Sequence, residues 1–291
     1  MINELHVSVI IPSFARPQVL EETVRSVLGQ TVPPHEIVVS VVSEADVTPA
    51  TRSLPSVRVL YGPRGSTAQR NTAVAAVDQH SGFILFLDDD VELISQYIES
   101  CLAAMRIRQD AMVLTGTVIQ QDVTRAEARS LVAQFSADLP DPGLFDVPRA
   151  YGCNMFVRAW VARKVEFDQN LVLYGWLEDA DWSARAARHG KIVCSARSAM
   201  VHLHVVTGRV SPRQLGYAQV VNPYYLWKKG SISSLWEVVR RHWGRGMPRN
   251  LAGCIIDSGR RAERVCRVQG NVIGFWEILR GNPDPTRILD L

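Results

Sequence analysis

Three consecutive aspartates, Asp88, Asp89 and Asp90, follow a hydrophobic run at 82–87 (GFILFL). In extended geometry Asp88 and Asp90 project to one side and Asp89 away, which offers two oxygen donors to one hard divalent cation. The plainer alternative is an acidic helix start with Asp90 capping 91–93. One aspartate satisfies that role, whereas three crowded carboxylates require a compensating cation. A second acidic group stands at 173–191 (LYGWLEDADWSARAARHGK), where Glu178, Asp179 and Asp181 open a helix that continues through Arg185 and Arg188. The positive end of a helix keeps carboxylates ionised, as a general base must be; a plain acidic start on a surface helix has the same composition. His202 and His204 lie in an apolar segment at 199–206 (AMVHLHVV) that reads as a strand, so they share one face. An imidazole there completes a carboxylate metal site or is simply satisfied within the fold. At 65–71 (GSTAQRN) a glycine-bearing turn enters a helix, where free backbone N–H groups and Arg70 suit phosphate. Neither GxGxxG nor a GKS or GKT motif is present.

The elements that must position these groups alternate. The run at 6–12 is almost unbroken Val and Ile, as in a strand buried on both faces of a parallel sheet. Pro17 opens a helix whose apolar residues Val19, Leu20, Val24, Val27 and Leu28 recur at helical spacing until Pro33 and Pro34. Strands at 36–42, 56–61 and 82–87, with a helix at 67–78, complete a βαβαβ layout. Sheets of this kind bind ligands at the carboxyl ends of their strands, where Asp88, Asp89 and Asp90 stand. A helix at 94–108 and a strand at 111–119 follow. Residues 120–150, dotted with Pro140, Pro142 and Pro148, read as a long loop with a short helix. After Thr207 the chain turns to basic, Trp-rich helical segments broken by Gly244, Gly246 and Pro248.

Composition bounds the alternatives. The 291 residues are 47% hydrophobic and 21% charged, which excludes collagen-like, coiled-coil and disordered classes. The start of the chain lacks a signal-like apolar stretch and no window approaches ~18 apolar residues, so a cytoplasmic address is expected, with contact on the inner face of the cell membrane left open. Five scattered cysteines without CxxC suit reduced thiols better than disulfides or zinc. The whole chain is only +3, yet 213–267 carries eleven Lys and Arg against Glu237, Asp257 and Glu263. There Trp227, Trp236 and Trp243 mix with Lys228, Lys229, Arg240, Arg241 and Arg245. Such a segment suits an anionic membrane surface through 224–267, or helices that cover the core or pair subunits as a homodimer. No nucleic-acid partner is expected, because no recognised binding motif accompanies the charge.

Taken in order, VSVIIPSFARP (7–17), SVLGQTVPPHEIVV (26–39), GSTAQRNTAV (65–74), FLDDDVEL (86–93), GCNMFVR (152–158) and LEDADWSARAARHGKIV (177–193) resemble the glycosyltransferases of family 2. The resemblance covers about 200 residues. It implies an α/β GT-A fold, a mostly parallel central sheet flanked by helices, over 1–207, with a nucleotide-binding half at about 1–119, an acceptor-binding half at about 120–207, and a helical extension at 208–291. It implies an inverting enzyme that moves one sugar from a nucleotide-diphosphate sugar donor to a hydroxyl of a glycan or lipid-linked acceptor, in bacterial polysaccharide or other surface-glycan synthesis. Asp88, Asp89 and Asp90 match the family's DxD site, where Mg2+ or Mn2+ bridges protein and diphosphate, with Asp88, Asp90 and His202 as the metal ligands. Pro12, Ser13, Arg16, Arg70, Asn71, Asp88 and Asp89 fall on the donor side, and Gly152, Asn154 and Trp176 on the acceptor side. Glu178 and Asp179 match the ED motif, whose aspartate is the usual catalytic base.

The chain departs from the pattern at Val41 and Val42, which stand where the family has two aspartates, one of which commonly contacts the base or ribose. Ser40, Ser43, Glu44 and Asp46 are the polar groups nearby. The absence of QxxRW favours single-sugar transfer. A sugar-phosphate nucleotidyltransferase would need a glycine-rich basic signature where PSFARPQVL stands. A non-catalytic scaffold of the same fold would not need Asp88, Asp90 and Asp179 together.

Overall fold

The computed structural model describes residues 3–135, 143–208 and 210–291. Strands β1 (Asn3–Pro12), β2 (Glu36–Val41), β3 (Val57–Tyr61) and β4 (Ser81–Leu87) lie parallel in the order β3-β2-β1-β4. Their side chains alternate between two apolar clusters. Val9, Ile11, Ile37, Val39, Leu85 and Leu87 enter one; Ile10, Val38, Ile84 and Phe86 enter the other. This is why these strands read as continuous Val, Ile and Leu: both faces are covered. The connections are α1 (Pro17–Leu28), α2 (Pro49–Arg52) and α3 (Ser66–Ala76). Helix α1 lays Leu20, Val24 and Val27 on the first cluster, joined by Tyr97, Ile98, Cys101 and Met105 of α4 (Tyr97–Ile107).

Beyond β4 the sheet is mixed. β8 (Asn154–Arg158) runs antiparallel to β4 and to β6 (Ala111–Gln121), and β6 runs parallel to β9 (Lys191–His202). β5 (Val91–Leu93) and β7 (Leu144–Asp146) each pair antiparallel with β9. The second cluster is closed by α6 (Ala159–Lys164) and by Trp182 and Ala186 of α7 (Glu178–Ala186). Trp182 is fully buried, stacks on Phe167 at 5.5 Å and donates its indole N–H to the Val165 carbonyl at 2.7 Å.

The chain forms two compact units: Met1–Arg64, Ala68–Phe167 and Trp182–Gly208 in the first, and Gly65–Thr67, Asp168–Asp181 and Arg209–Leu291 in the second. The second is helical, with α8 (Pro212–Lys229), α9 (Leu235–Glu237), α10 (Gly244–Ile256) and α11 (Arg261–Leu279). Ser211 caps α8, its side chain accepting the Gln214 N–H while Gln214 reaches back to the Ser211 N–H. Helices α8 and α11 cross at glycines. A Cβ on Gly216 would overlap the Arg267 carbonyl, and one on Gly270 the Arg213 carbonyl. The Asn271 amide fills the crossing by donating to the Gly216 carbonyl at 2.7 Å.

Several local expectations are corrected. Strand β9 ends at His202, so 199–206 is not one strand, and His204 takes a left-handed φ of 57° beyond it. The segment after Asp90 is a strand and not a helix, which removes the capping alternative. Residues 120–150 contain the end of β6, α5 (Arg125–Gln134) and β7, while Pro140 and Pro142 lie outside the described residues. Gly246 and Pro248 do not break the C-terminal helices: α10 runs through both, directly after a π-helical turn at Val238–Trp243. The N–H that Pro248 lacks is the one that would bond Gly244, at the change from π to α winding, where the ladder is already irregular. None of the five cysteines is in a disulfide, with Cys101 and Cys153 buried and the others half-buried.

The glycine crossing yields an expected outcome. Gly270→Ala should lower the stability of the helical unit by about 1–3 kcal/mol, read as a drop in melting temperature, because backbone and not a flexible side chain must give way. An unchanged melting temperature would show that the two helices have slack between them.

Candidate active site

Asp88, Asp89 and Asp90 occupy the turn between β4 and β5, at the carboxyl end of the parallel strands. The three carboxyl groups separate, though by a turn and not by the alternation of an extended strand. Asp88, Asp90 and His202 each bring one ligand atom within 4.8 Å of the others. His202 Nε2 lies 3.0 Å from Asp90 Oδ1 and 3.7 Å from Asp88 Oδ2, so a single imidazole nitrogen faces both carboxylates. Pairing of β5 with β9 puts His202 opposite Val91, one residue past Asp90, and thereby brings together groups 112 residues apart.

Asp89 turns the other way. It accepts the Ser13 hydroxyl at 2.6 Å and Arg16 Nη1 at 2.7 Å. Arg16 also reaches Asp90 at 3.4 Å and donates to the carbonyls of Val205 and Thr207, tying the β1–α1 turn to the segment after β9. The Val205 N–H completes the Asp90 shell at 2.8 Å. Arg70, on α3 and almost wholly buried, donates to Asp88 at 2.9 Å and to the Gly152 carbonyl at 3.1 Å. Arg70 and Arg16 are therefore partners of the aspartates themselves, and Gly152 belongs to the same cluster through its backbone.

Charge and burial oppose one another here. Burial disfavours an ionised Asp90, but the hydrogen bond and charge of His202, with Arg16 and the Val205 N–H, bring its pKa down to about 2. Burial likewise disfavours a charged His202, and its bond to Asp90, aided by Cys153 and the Asp88 charge, carries it up to about 11. For Asp89, burial dominates over Arg16 and Ser13 and pushes the carboxyl up.

Other residues expected at the site are engaged in structure. Pro12 ends β1, holding Ser13 in place. The Asn71 amide is matched at both ends to the Phe167 backbone, at 2.8 Å each. Asn154 is fully buried between the Thr115 hydroxyl at 2.5 Å and the Gly116 carbonyl at 3.2 Å. Val41 is buried in the sheet, and Asp46 accepts the Ala15 N–H at 2.7 Å together with the Ser43 N–H and hydroxyl. His204 pairs with the exposed Asp122 at 3.1 Å. Two positioning residues escape sequence reasoning. Gln69 donates to the carbonyls of Ser13 and Ser40, and Thr23 to the carbonyl of Asp89 at 2.6 Å. Only their place on α3 and α1 pointed to them.

Trp176, Glu178 and Asp179 lie in the second unit. Gly175, at φ 64°, turns the chain into α7, and its carbonyl accepts the Glu178 N–H at 2.7 Å. Asp181 is fully buried and committed: Lys229 reaches it at 2.9 Å and also Asp168 at 2.6 Å, and the Ser231 hydroxyl donates to it at 2.6 Å. Glu178 and Asp179 remain partly exposed, with Asp179 accepting the Ala180 N–H at 2.7 Å. The Trp176 carbonyl accepts the Asn222 amide at 2.9 Å.

The architecture is that of the GT-A glycosyltransferases. TarS of S. aureus matches with a TM-score of 0.56 at 14% identity, covering 92% of this chain and 49% of that one, so this chain spans about half the length of TarS. The mannosyltransferase PcManGT from Pyrobaculum calidifontis, solved in complex with GDP-Man and Mn2+, matches with a TM-score of 0.54 at 14% identity over 94% of this chain and 87% of its own. No curated protein sequence matches. The sequence model described as glycosyl transferase family 2 matches residues 8–166, more than half of the chain. The chain belongs to that family.

The Asp90–His202 pair sets a pH dependence for the metal-free protein. His202, raised from 6.5 to about 11, contributes stability that is complete below about pH 6.5 and is lost as pH climbs through 11. Asp90, lowered from 3.8 to about 2, contributes stability complete above about pH 3.8 and lost as pH falls through 2. In chelator, the urea midpoint of wild type should exceed that of His202→Gln most between about pH 4 and 6.5, the gap closing on the alkaline side. A gap that widens with rising pH overturns the pairing.

Proposed function

We propose that this chain is a metal-dependent inverting glycosyltransferase, which moves one sugar from a nucleotide-diphosphate sugar to a hydroxyl of a glycan or lipid-linked acceptor in bacterial polysaccharide or surface-glycan synthesis. The observation that carries the reading is the convergence of Asp88, Asp90 and His202 at the carboxyl end of the parallel strands. Two carboxylates and one imidazole suit Mn2+, and also Mg2+ with water in the remaining positions. That His202 Nε2 faces both carboxylates supports the fit, because the aspartates already draw a positive charge to that point. Held by Asp88, Asp90 and His202, a divalent ion would supply positive charge against the negative charge that develops on the leaving diphosphate.

The protein's own groups supply the rest. Arg70 and Arg16 hold Asp88 and Asp89 in place and offset their charge, so that the turn is not left strongly anionic towards a diphosphate. Asp179 takes the proton from the acceptor hydroxyl as it attacks the anomeric carbon from the face opposite the leaving group. The Lys229 ion pair and burial speak against Asp181 in this role, and Glu178, the neighbouring carboxylate, is the fallback. The GDP-Man and Mn2+ bound by PcManGT support a purine or pyrimidine diphospho-sugar screened with Mn2+ as the first donor assay.

We further propose that the helical unit contacts an anionic membrane surface. On α11, Val265, Val272, Trp276 and Leu279 are exposed at a spacing that aligns them on one side, and on α10 Ile255 and Ile256 are 86% and 81% exposed. Arg245, Arg249, Arg260, Arg261 and Arg280 of the same segments are exposed too, and Arg280 lies over the Trp276 ring at 4.6 Å. Apolar side chains together with arginine match an acyl boundary beneath anionic headgroups. Among the described residues no helix is long and apolar enough to cross a membrane.

Two experiments test these readings. With UDP-, GDP- and dTDP-sugars and Mn2+, one donor should raise the melting temperature and be turned over. Asp179→Asn should cut turnover by about 10²–10⁴-fold while donor stabilisation survives, Asp90→Ala or chelator should remove both, and His202→Gln should weaken metal binding more than His204→Gln. Full activity in excess EDTA, or near-wild-type turnover of Asp179→Asn, overturns the corresponding assignment. For the surface, co-sedimentation with anionic but not neutral vesicles, lost at high salt, is expected. Failure to bind either, with concentration-dependent self-association, would assign the exposed stripe to a homodimer.

A further inference from the structure

A second cluster of metal-ligating side chains lies at the opposite edge of the sheet. His6 is near the start of β1, His35 directly precedes β2, and Asp78 sits between α3 and β4. All three therefore gather at the amino ends of parallel strands, whereas Asp88 and Asp90 follow the carboxyl end of β4. The length of β4, seven residues, separates the two clusters by roughly 20 Å.

The main chain fixes the arrangement. The His35 N–H donates to the Val7 carbonyl at 2.8 Å, locking the start of β2 beside β1. The Asp78 N–H donates to Glu36 at 2.6 Å, and its carbonyl accepts Arg163 at 2.8 Å. The imidazole rings of His6 and His35 stack at 4.2 Å with an interplanar angle of 8°. His35 Nε2 lies 2.9 Å from Asp78 Oδ2, while Oδ1 accepts the His80 N–H at 2.9 Å. One ligand atom from each of His6, His35 and Asp78 falls within 4.8 Å of the others. A second observation comes from His6: its Nδ1 is closed off from solvent and, among the described residues, has no hydrogen-bond partner. A shielded imidazole nitrogen without a partner is costly unless something coordinates or bonds it.

We propose that His6, His35 and Asp78 form a binding site for a zinc-class divalent transition metal, separate from the active site. Two imidazole nitrogens and one carboxylate oxygen suit Zn2+, Co2+ or Ni2+ and leave a fourth position for water, whereas Mg2+ and Ca2+ favour all-oxygen shells. Around an ion with ~2.0–2.1 Å bonds the His35 and Asp78 ligand atoms, 2.9 Å apart, open to about 3.3 Å, the edge of a tetrahedron, and the His35 ring turns out of its stack on His6 so that both imidazoles face the ion. Half-exposed His35 and Asp78 can make that movement by rotation of their side chains. The ion would clip together the entries of β1, β2 and β4, and so stiffen the half of the sheet from which the active-site turn emerges.

The test uses the full chain carrying Asp90→Ala, which disables the active-site cluster, with His202→Gln as the alternative background should that variant fold poorly. By equilibrium dialysis this protein should bind a single Zn2+ per chain and melt at a higher temperature with zinc than without. Adding His35→Gln or Asp78→Asn should lower zinc affinity by about tenfold or more, with the metal-free melting temperature little changed. Cobalt should give the visible absorption of a four-coordinate ion, lost in both variants. Zinc affinity indistinguishable from the parent in both variants, or no zinc bound by the Asp90→Ala protein, overturns the proposal and leaves His35 and Asp78 as an ordinary edge ion pair.

Discussion

Mutual repulsion among Asp88, Asp89 and Asp90 is the constraint around which the first unit is arranged. Two unit charges 4 Å apart interact by about 4 kcal/mol at an effective dielectric of 20, several times the worth of an exposed ion pair. Asp89 and Asp90 are nearly buried, so solvent does not screen them. Compensation arrives from three directions: Arg16 from the β1–α1 turn, Arg70 from α3, and His202 from the end of β9. None is a sequence neighbour of the aspartates. The strand order puts β1 beside β4 and β5 beside β9, and so delivers each cation to its carboxylate. The fold and the charge cluster are thus two sides of one requirement.

The parallel half of the sheet was legible because its strands are buried on both faces and its helices are bounded by proline and glycine. Hydrophobic continuity carries that information locally. What failed depended on where an element stops. The pattern AMVHLHVV keeps its alternation past His202, but β5 pairs with β9 only as far as that residue, and the chain then turns left-handed at His204. Similarly, Pro248 reads as a breaker unless the preceding turn is already π-wound. Periodicity contains neither fact.

For the site, residue types were a better guide than residue partners. The grouping of Asp88 and Asp90 with His202 as ligands followed from the family resemblance, and one ligand atom of each lies within 4.8 Å of the others. The ties of Arg16 to Asp89, of Gln69 to Ser13 and of Lys229 to Asp181 span dozens of residues or more, and no local pattern announces them. Lys229 matters most for interpretation. Three acids open α7, and the ion pair speaks against Asp181 as the base, a distinction that composition alone could not draw.

Parallel strands give a sheet two chemically different edges. At the carboxyl edge, two carboxylates and one imidazole make an oxygen-rich set; at the amino edge, two imidazoles and one carboxylate make a nitrogen-rich one. Hard ions such as Mg2+ and Mn2+ gain little from a pair of imidazoles, whereas zinc-class ions favour them. For the two proposed sites, that inversion of donor ratio would favour a zinc-class ion at the amino edge and Mg2+ or Mn2+ at the carboxyl edge, one β-strand's length apart. That ratio follows from three positions, His6, His35 and Asp78, which the parallel register brings together whether or not any ion is bound.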